Sequence, residues 1–324
     1  MPPPDLPVSG ALLEVRGLGV DFGAYAAVTN VSFDLRPGET LGLVGESGSG
    51  KSTLARAILR LIPAARGRVL WQGIDLLACD AASLRRQRRD LQIVFQDPLA
   101  SLNPRLTVGA TLAEPLKIFE PTLRAPVRRA RIEDMLERVG LSRDMAGRYP
   151  HEFSGGQCQR IGIARAMMLR PKLLICDEPV SSLDVSIQGQ IVNLLLDLQQ
   201  EFGTAMLFIS HNLAVVRHIS HRVLVLYLGR AFELASREVL FAAPVHPYTR
   251  ALLAAVPDPT RALSPTPQPL GEELPAADLG SGGCVFRNRC AYAQPACALR
   301  VPELEPVSAG HAVACHRWRE LVYS

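Results

Sequence analysis

The chain has 324 residues, 48% of them hydrophobic, which suits one large domain with an appendage or two domains and excludes a wholly disordered chain. The 35 lysines and arginines against 31 aspartates and glutamates leave a net charge of +4, too small to indicate nucleic-acid binding. No apolar run approaches the roughly 18 residues that span a bilayer, and the N-terminus lacks a secretory signal. We therefore expect a soluble, cytosolic protein.

The first part of the chain predicts a β-rich region. Residues 1–10 form a Pro-rich tail, and the short apolar stretches from Leu12 to Leu35 indicate antiparallel strands. The run TLGLVG at 40–45 predicts a buried strand, which leads through a Gly-rich loop into a helix. Further strands are predicted at 69–76 and 91–95. Sequence order thus places an antiparallel β subdomain before the first long helix.

The middle of the chain predicts a helical insertion and then a parallel sheet. Residues 97–170 carry many Arg, Glu, Leu and Ala at helical spacing. Strands are predicted at 173–177 and 205–210 with a helix between them, a connection that requires parallel strands. A last strand or strand pair is predicted at 223–227. Residues 11–256 are therefore predicted to form one α/β domain.

The C-terminal part changes in composition. Residues 257–283 contain six prolines, which indicates a linker, and residues 284–324 contain four of the seven cysteines. In a reducing compartment such a cluster more often binds metal than forms disulfides. The spacing lacks the CxxC pair of many structural zinc sites, so zinc, another metal centre and a ligand-free or oxidised segment all stay open. The four residues are Cys284, Cys290, Cys297 and Cys315.

The segment from Gly45 to Ser52 matches the phosphate-binding motif G-x-x-x-x-G-K-[ST] in full, between a predicted strand and a predicted helix. Its glycines let backbone N–H groups face a phosphate, and the helix start adds its positive dipole end. We expect Lys51 to reach the β- and γ-phosphates and the Ser52 hydroxyl to bind Mg²⁺. The predicted nucleotide-binding residues of this loop are Gly45, Glu46, Ser47, Gly48, Ser49, Gly50, Lys51, Ser52 and Thr53.

Two carboxylates end the apolar strand at 173–177. Asp177 is predicted to hold Mg²⁺, and Glu178 to polarise the attacking water as a general base. Taken alone, two acids after a strand are equally typical of a solvated turn. The phosphate-binding loop upstream favours the catalytic interpretation.

The segment FSGGQ at 153–157 precedes a predicted helix and resembles the signature motif of ABC ATPases. A serine and two glycines at a helix start form an anion-binding surface, although an ordinary N-cap has the same appearance. The resemblance implies a P-loop NTPase fold in which this motif caps the γ-phosphate held by a partner domain. One chain would then be half of a two-site sandwich. The residues that carry this implied role are Ser154, Gly155, Gly156 and Gln157.

The same resemblance implies roles for single residues. Gln96 matches the glutamine that senses Mg²⁺ and the attacking water, Asp184 matches the D-loop at the dimer interface, and His211 matches the switch histidine at the γ-phosphate. Phe22 matches the aromatic residue that stacks on adenine, with Tyr25 as the alternative. The implied catalytic residues are Lys51, Gln96, Glu178 and His211, and the implied Mg²⁺ ligands are Ser52, Gln96 and Asp177.

Within the ABC ATPases the chain resembles the ATP-binding subunits of oligopeptide, dipeptide and nickel importers. Three segments carry this resemblance: QDPLASLNPR, which begins at Gln96, YPHEFSGGQ, which contains the signature, and HPYTRALLAAVP at 246–257. This resemblance implies ATP hydrolysis that powers peptide import, together with two transmembrane permease subunits and a second ATP-binding subunit, identical or paralogous. A solute-binding protein is an indirect partner. The implied location is peripheral, at the cytoplasmic face of the inner membrane.

The resemblance also implies a [4Fe–4S] cluster on the four C-terminal cysteines, with zinc as the alternative. We expect no nucleic-acid partner, and the arginines at 85–89 are interpreted as a solvated helix face. Two alternatives to peptide import stay open: transport of nickel or another small solute, and a soluble ABC ATPase without a membrane partner.

Overall fold

The computed structural model describes residues 10–255 and 282–322, so most of the predicted linker at 257–283 and most of the predicted N-terminal tail lie outside the described residues. A four-stranded antiparallel sheet and an eight-stranded mixed sheet organise the described part. The strands are β1 (Leu13–Phe22), β2 (Tyr25–Leu35), β3 (Thr40–Val44), β4 (Arg66–Trp71), β5 (Ile74–Asp75), β6 (Leu91–Val94), β7 (Leu173–Asp177), β8 (Ala205–Ile209), β9 (Arg222–Tyr227), β10 (Arg230–Ser236), β11 (Glu305–Ser308) and β12 (His311–Val313).

Helices connect these strands. They are α1 (Lys51–Ile58), α2 (Ala81–Gln87), α3 (Val108–Phe119), α4 (Ala125–Arg138), α5 (Gly155–Met167), α6 (Val185–Phe202), α7 (Leu213–Ile219), α8 (Arg237–Ala242), α9 (Pro247–Ala254), α10 (Ala296–Leu299) and α11 (Trp318–Leu321). Within the described residues, no helix combines the length and the apolar character that crossing a membrane requires.

The large sheet has the strand order β11-β12-β10-β9-β3-β8-β7-β6. Its strands β6, β7, β8, β3 and β9 pair in parallel, as the strand–helix–strand pattern predicted. Strands β9, β10, β12 and β11 pair antiparallel. The C-terminal segment therefore adds two strands to this sheet, which the prediction of a small separate tail did not include. A strand pair was one of the alternatives predicted at 223–227, but its second strand, β10, lies beyond that range.

The core lies on both faces of the large sheet. Because successive strand residues point to opposite faces, Leu174 and Cys176 of β7 join one apolar cluster, while Leu173 and Ile175 join the other. The first cluster includes α3, α5 and α6, and the second includes α1 and the antiparallel sheet. Strands of a parallel sheet that is covered on both faces have nearly continuous apolar sequences. This is why these strands could be predicted from the sequence.

The predicted helical insertion at 97–170 contains α3, α4 and α5. Thr107 caps α3 by accepting a hydrogen bond from the Ala110 N–H, which satisfies one of the unpaired donors of a helix start. Apolar residues on one face of α3 and α4, such as Leu112 and Leu136, are fully buried in the first cluster. The helical character of the insertion is thus confirmed.

Candidate active site

The loop between β3 and α1 packs closely against neighbouring backbone. A Cβ at Gly45 would lie 2.1 Å from the Leu226 carbonyl oxygen, and one at Gly50 would lie 2.6 Å from the Ala27 carbonyl oxygen. Gly50 caps α1 with a φ of 95°, a conformation that residues with a Cβ rarely adopt. The two glycines are therefore required for the loop to reach the start of the helix.

Lys51 points back into this loop and is almost fully buried. Its Nζ donates hydrogen bonds to the Gly45 carbonyl at 2.9 Å, the Glu46 carbonyl at 2.8 Å and the Ser49 Oγ at 3.3 Å. Burial lowers the pKa of Lys51, and the carboxylates of Glu178, Asp177 and Glu46 act against that shift. A positive charge thus lies at the centre of a loop of backbone amides, an arrangement suited to an anion.

Asp177 ends β7 beside the first residues of α1. Its Oδ1 accepts a hydrogen bond from the Ser52 Oγ at 2.6 Å, and the Arg56 guanidinium lies 3.8 Å from its Oδ2. Burial raises the pKa of Asp177, while the Ser52 hydroxyl and the Arg56 charge lower it. In the described part of the chain, Oδ2 is buried without a hydrogen-bond partner. Hydroxyl and carboxylate oxygens are the ligands that Mg²⁺ prefers, so this pair fits the ion.

Glu178, Gln96 and His211 meet at one edge of the sheet. They follow β7, β6 and β8, which are neighbouring parallel strands whose carboxyl ends lie together. The Gln96 Nε2 donates to the Glu178 Oε2 at 3.1 Å, and the His211 Nδ1 lies 3.4 Å from the same oxygen. Glu178 has a φ of 49°, uncommon for a residue with a side chain, and its N–H donates to the Ile209 carbonyl. The three predicted residues are brought together.

The FSGGQ segment starts α5 with a capping box. The Ser154 Oγ accepts from the Gln157 N–H at 3.3 Å, and the Gln157 Oε1 accepts from the Ser154 N–H at 2.9 Å. A Cβ at Gly156 would lie 2.9 Å from the Ile187 Cγ2. Over residues 10–255 and 282–322, no hydrogen bond joins this cap to the phosphate-binding loop.

The remaining predicted residues lie on exposed elements. Phe22 and Tyr25 face each other across the β1–β2 turn with 53% and 46% of their surfaces exposed, so both are open to a flat ligand. Asp184 precedes α6 as its N-cap residue and is exposed.

Three residues at the site were not assigned from the sequence. Arg56 lies one helical turn after Ser52, so the helix periodicity was the signal that could have identified it as a neighbour of Asp177. Tyr248 accepts a hydrogen bond from the Glu46 N–H at 3.0 Å, and Arg289 forms an ion pair with the Glu46 carboxylate at 2.8 Å. Tyr248 belongs to the segment HPYTRALLAAVP, which carried the resemblance to importer ATP-binding subunits. Arg289 belongs to no motif that could have identified it.

The four C-terminal cysteines are free thiols that line one small cavity of about 20 Å³. Burial raises the pKa of Cys284 to about 12 and that of Cys315 to about 11. In the two described ranges, however, no three His, Cys, Asp or Glu side chains form a group that could hold a metal ion. The predicted ligand set of an iron–sulfur cluster is therefore not supported by the structure. Its members are Cys284, Cys290, Cys297 and Cys315.

Comparison with known proteins identifies the family. Residues 28–181 match the family described as ABC transporter, and residues 232–297 match the one described as oligopeptide/dipeptide transporter, C-terminal region. The oligopeptide transport ATP-binding protein OppF of Salmonella typhimurium is 56% identical over 291 residues, covering 89% of this chain and 87% of that protein. This chain belongs to the ATP-binding proteins of ABC transporters. The resemblance to importer ATP-binding subunits is confirmed.

Other relatives agree with this membership. OppF of Haemophilus influenzae is 51% identical over 94% of this chain and 96% of its own length. A probable peptide ABC transporter ATP-binding protein of Sinorhizobium fredii, y4tS, is 55% identical over 95% of this chain and 90% of its own. Since the matches span nearly whole proteins, they cover the C-terminal segment as well as the ATPase core.

Solved structures confirm the fold. The ATP-binding cassette MJ0796, in a dimeric post-hydrolysis state bound to ADP and Pi, has a TM-score of 0.64 and 29% identity over 69% of this chain and 98% of that one. The cbiO1 protein of Clostridium perfringens, part of the ABC transporter complex cbiONQ, has a TM-score of 0.64 and 26% identity over 72% of this chain and 92% of that one. The predicted ABC ATPase core is confirmed, and the protein is an ATPase of this class.

Proposed function

We propose that this protein hydrolyses ATP to power the import of oligopeptides or dipeptides. The observation that carries the proposal is the match of residues 232–297 to the C-terminal region of oligopeptide/dipeptide transporters, in a chain more than half identical to OppF proteins. An ATPase core alone would fit many transport substrates, whereas this segment is particular to that group.

The proposed division of the chain is a domain at 11–256 with a helical subdomain at 97–170, a linker at 257–283 and a Cys-rich segment at 284–324.

In the proposed mechanism the loop at 45–53 holds the triphosphate. Its backbone amides and Lys51 neutralise the phosphate charge, and the exposed ring of Phe22, with Tyr25 as the alternative, stacks on the adenine. A bound Mg²⁺ would neutralise the charge that develops on the phosphate. Ser52 and Asp177 supply oxygen ligands for it, and Gln96 is the third residue proposed to contact it.

Glu178 is the proposed base. Its carboxylate is held by Gln96 and lies beside His211, so a water bound at this edge of the sheet can be oriented for in-line attack on the γ-phosphate. His211 is 58% exposed at its side chain and is free to steady the charge on that phosphate. Catalysis in this scheme is positioning and electrostatic stabilisation, without a covalent intermediate.

Two ATP-binding subunits are proposed to close over two nucleotides. Support comes from the resemblance of the FSGGQ segment at 153–157 to the ABC signature motif and from the dimeric state of the similar cassette MJ0796. Ser154, with the two glycines that follow it and Gln157, would cap the γ-phosphate bound by the partner, while Asp184 crosses the interface. The second subunit is either another copy or a paralogue.

The proposed assembly includes two transmembrane permease subunits and, indirectly, a solute-binding protein, with this chain at the cytoplasmic face of the inner membrane. Affinity purification from native membranes tests it, because the co-purified proteins identify the permease and the second ATPase together. Recovery of the chain with DNA or ribosomes, and stimulation of hydrolysis by them, would favour a soluble ABC ATPase instead.

Uptake assays separate the possible solutes. A strain that lacks this chain should lose uptake of labelled di- and oligopeptides, and the wild-type chain should restore it while the inactive Glu178→Gln variant should not. Unchanged peptide uptake combined with loss of ⁶³Ni²⁺ uptake would assign the subunit to nickel transport.

The four cysteines are proposed to hold a [4Fe–4S] cluster, with zinc as the alternative. The support is the cavity that all four line and their donor chemistry, since four thiolates suit either centre. Burial raises the pKa of the Cys284 and Cys315 thiols, and a bound cation would lower it. Anaerobically purified protein should show a broad absorbance band near roughly 400 nm, as expected of an iron–sulfur cluster held by thiolates. Cys290→Ser should remove the band and Cys79→Ser should keep it. A colourless, zinc-loaded protein would decide for zinc, and a metal-free one would remove the proposal.

A further inference from the structure

One arginine joins the C-terminal segment to the phosphate-binding loop. The two terminal guanidinium nitrogens of Arg289 donate to both carboxylate oxygens of Glu46, at 2.8 and 3.1 Å. The pair is mostly shielded from solvent, with 10% of the Arg289 side chain and 30% of the Glu46 side chain exposed. Two-pronged pairs of this kind fix the geometry as well as the distance of their partners.

The guanidinium is itself held in place by aromatic rings. Its Nη1 also donates to the Tyr227 Oη at 3.1 Å, and its central carbon lies 5.6 Å from the centre of the Tyr227 ring and 6.0 Å from that of Phe286. The Tyr227 and Phe286 rings pack edge to face, with centroids 5.4 Å apart. Cation–π contact and the rigid rings leave the arginine little freedom to turn away from the loop.

Glu46 is the residue through which this contact reaches the centre of the loop. Its N–H donates to the Tyr248 Oη at 3.0 Å, and its carbonyl accepts from the Lys51 Nζ at 2.8 Å and from the Ser49 N–H at 3.2 Å. The side chain and both peptide groups of Glu46 are thus fixed at once. Any rotation of the Glu46 backbone would move the carbonyl on which Lys51 rests.

We propose that Arg289 is a positioning residue of the nucleotide site. By holding the Glu46 carboxylate, it orders the loop around Lys51 before ATP binds. The inference rests on the nucleotide site proposed above at residues 45–53 and goes beyond it, because it gives the C-terminal segment a part in ATP affinity. A loop that is already ordered loses little conformational entropy when ATP binds. Loss of the Arg289 contact should therefore weaken ATP affinity more than it slows the chemical step.

The test measures ATP affinity and turnover for Arg289→Gln in the full chain with its partner subunits. We expect the Kd and the KM for ATP to rise about tenfold, equivalent to ~1.4 kcal/mol, with kcat within about twofold of the wild type. Arg289→Lys keeps the charge without the two-pronged geometry and should give an intermediate Kd. Arg300→Gln, at an exposed arginine of the same segment, is the matched control and should leave the Kd unchanged.

A double-mutant cycle tests the route through Glu46. Glu46→Gln should weaken ATP binding as Arg289→Gln does, and the double variant should be no weaker than the worse single one, because both remove the same contact. An ATP Kd within about twofold of wild type for Arg289→Gln, or effects that multiply in the double variant, would overturn the proposal. Should Arg289→Gln fail to fold, an unchanged Kd in Glu46→Gln overturns it equally.

Failure of the nucleotide site itself gives a different result. If Lys51→Ala leaves ATP binding intact, the loop at 45–53 is not the site and the role of Arg289 falls with it. If Lys51→Ala abolishes binding while Arg289→Gln does not weaken it, only the positioning role is refuted.

Discussion

Replacing Glu178 by glutamine isolates the charge of the proposed base from its contacts. Glutamine has nearly the same size, and its amide oxygen in the place of Oε2 can accept from the Gln96 Nε2 and from an N–H at Nδ1 of neutral His211, the two groups that contact this oxygen. The contacts around residue 178 are therefore preserved. We expect the free energy of unfolding to stay within ~1 kcal/mol of the wild type.

The rate of hydrolysis should respond far more strongly. A positioned general base contributes about 10²- to 10⁴-fold, so the barrier should rise by ~2.7 to 5.4 kcal/mol while ATP binding is retained. Single-turnover hydrolysis measures the rate, equilibrium binding measures the Kd for ATP, and size-exclusion chromatography with ATP detects a closed dimer that no longer reopens. Glu303→Gln, at an exposed glutamate of the C-terminal segment, is the control. Hydrolysis within tenfold of the wild type would remove Glu178 from the role of base.

Three further predictions concern the loop, the signature and the C-terminal segment. Lys51→Ala should weaken ATP binding at least about 100-fold in equilibrium dialysis, because the buried ammonium is lost, and an unchanged Kd would contradict its role. Ser154→Ala should lower turnover at least about tenfold while ATP binding to the isolated subunit stays within about twofold, since Ser154 is proposed to act on the partner's nucleotide. Turnover unaffected by this change and by dilution would refute the two-subunit site. Glu233→Ala should lower the free energy of unfolding by ~3 kcal/mol in urea titration, because the buried carboxylate accepts hydrogen bonds from two backbone N–H groups and lies 2.9 Å from the His311 Nε2. A loss below ~1 kcal/mol would show that this network contributes little.

Local patterns were enough to predict the ATPase core. The buried run before Gly45 and the helical spacing after Ser52 specify strand, loop and helix within about twenty residues, and the topology then follows from the parallel crossover rule. Gln96 and His211 were identified only through the resemblance to ABC ATPases. Once they are placed after strands of a parallel sheet, they can be expected to lie near Glu178, because parallel strands end at one edge.

The remaining features depend on contacts that no local pattern encodes. Arg289 and Glu46 are separated by 243 positions, and a single arginine beside a cysteine carries no periodic signal. Strand β11 is exposed and contains Pro306, so it lacks the apolar alternation that would have predicted it. In the proposed two-subunit site, the position of the signature relative to a nucleotide depends on the second subunit, which a single chain cannot specify.

The pairing of β12 with β10 has a consequence for how this ATPase can be divided. A chain shortened at residue 255 would expose the hydrogen-bonding edge of β10 and leave Glu233 buried without His311. Open edges of this kind recruit strands from other molecules, so the shortened chain should aggregate rather than behave as a freestanding motor domain. Fusion or domain-exchange designs built on this protein need to carry residues 282–322 along with the ATPase core.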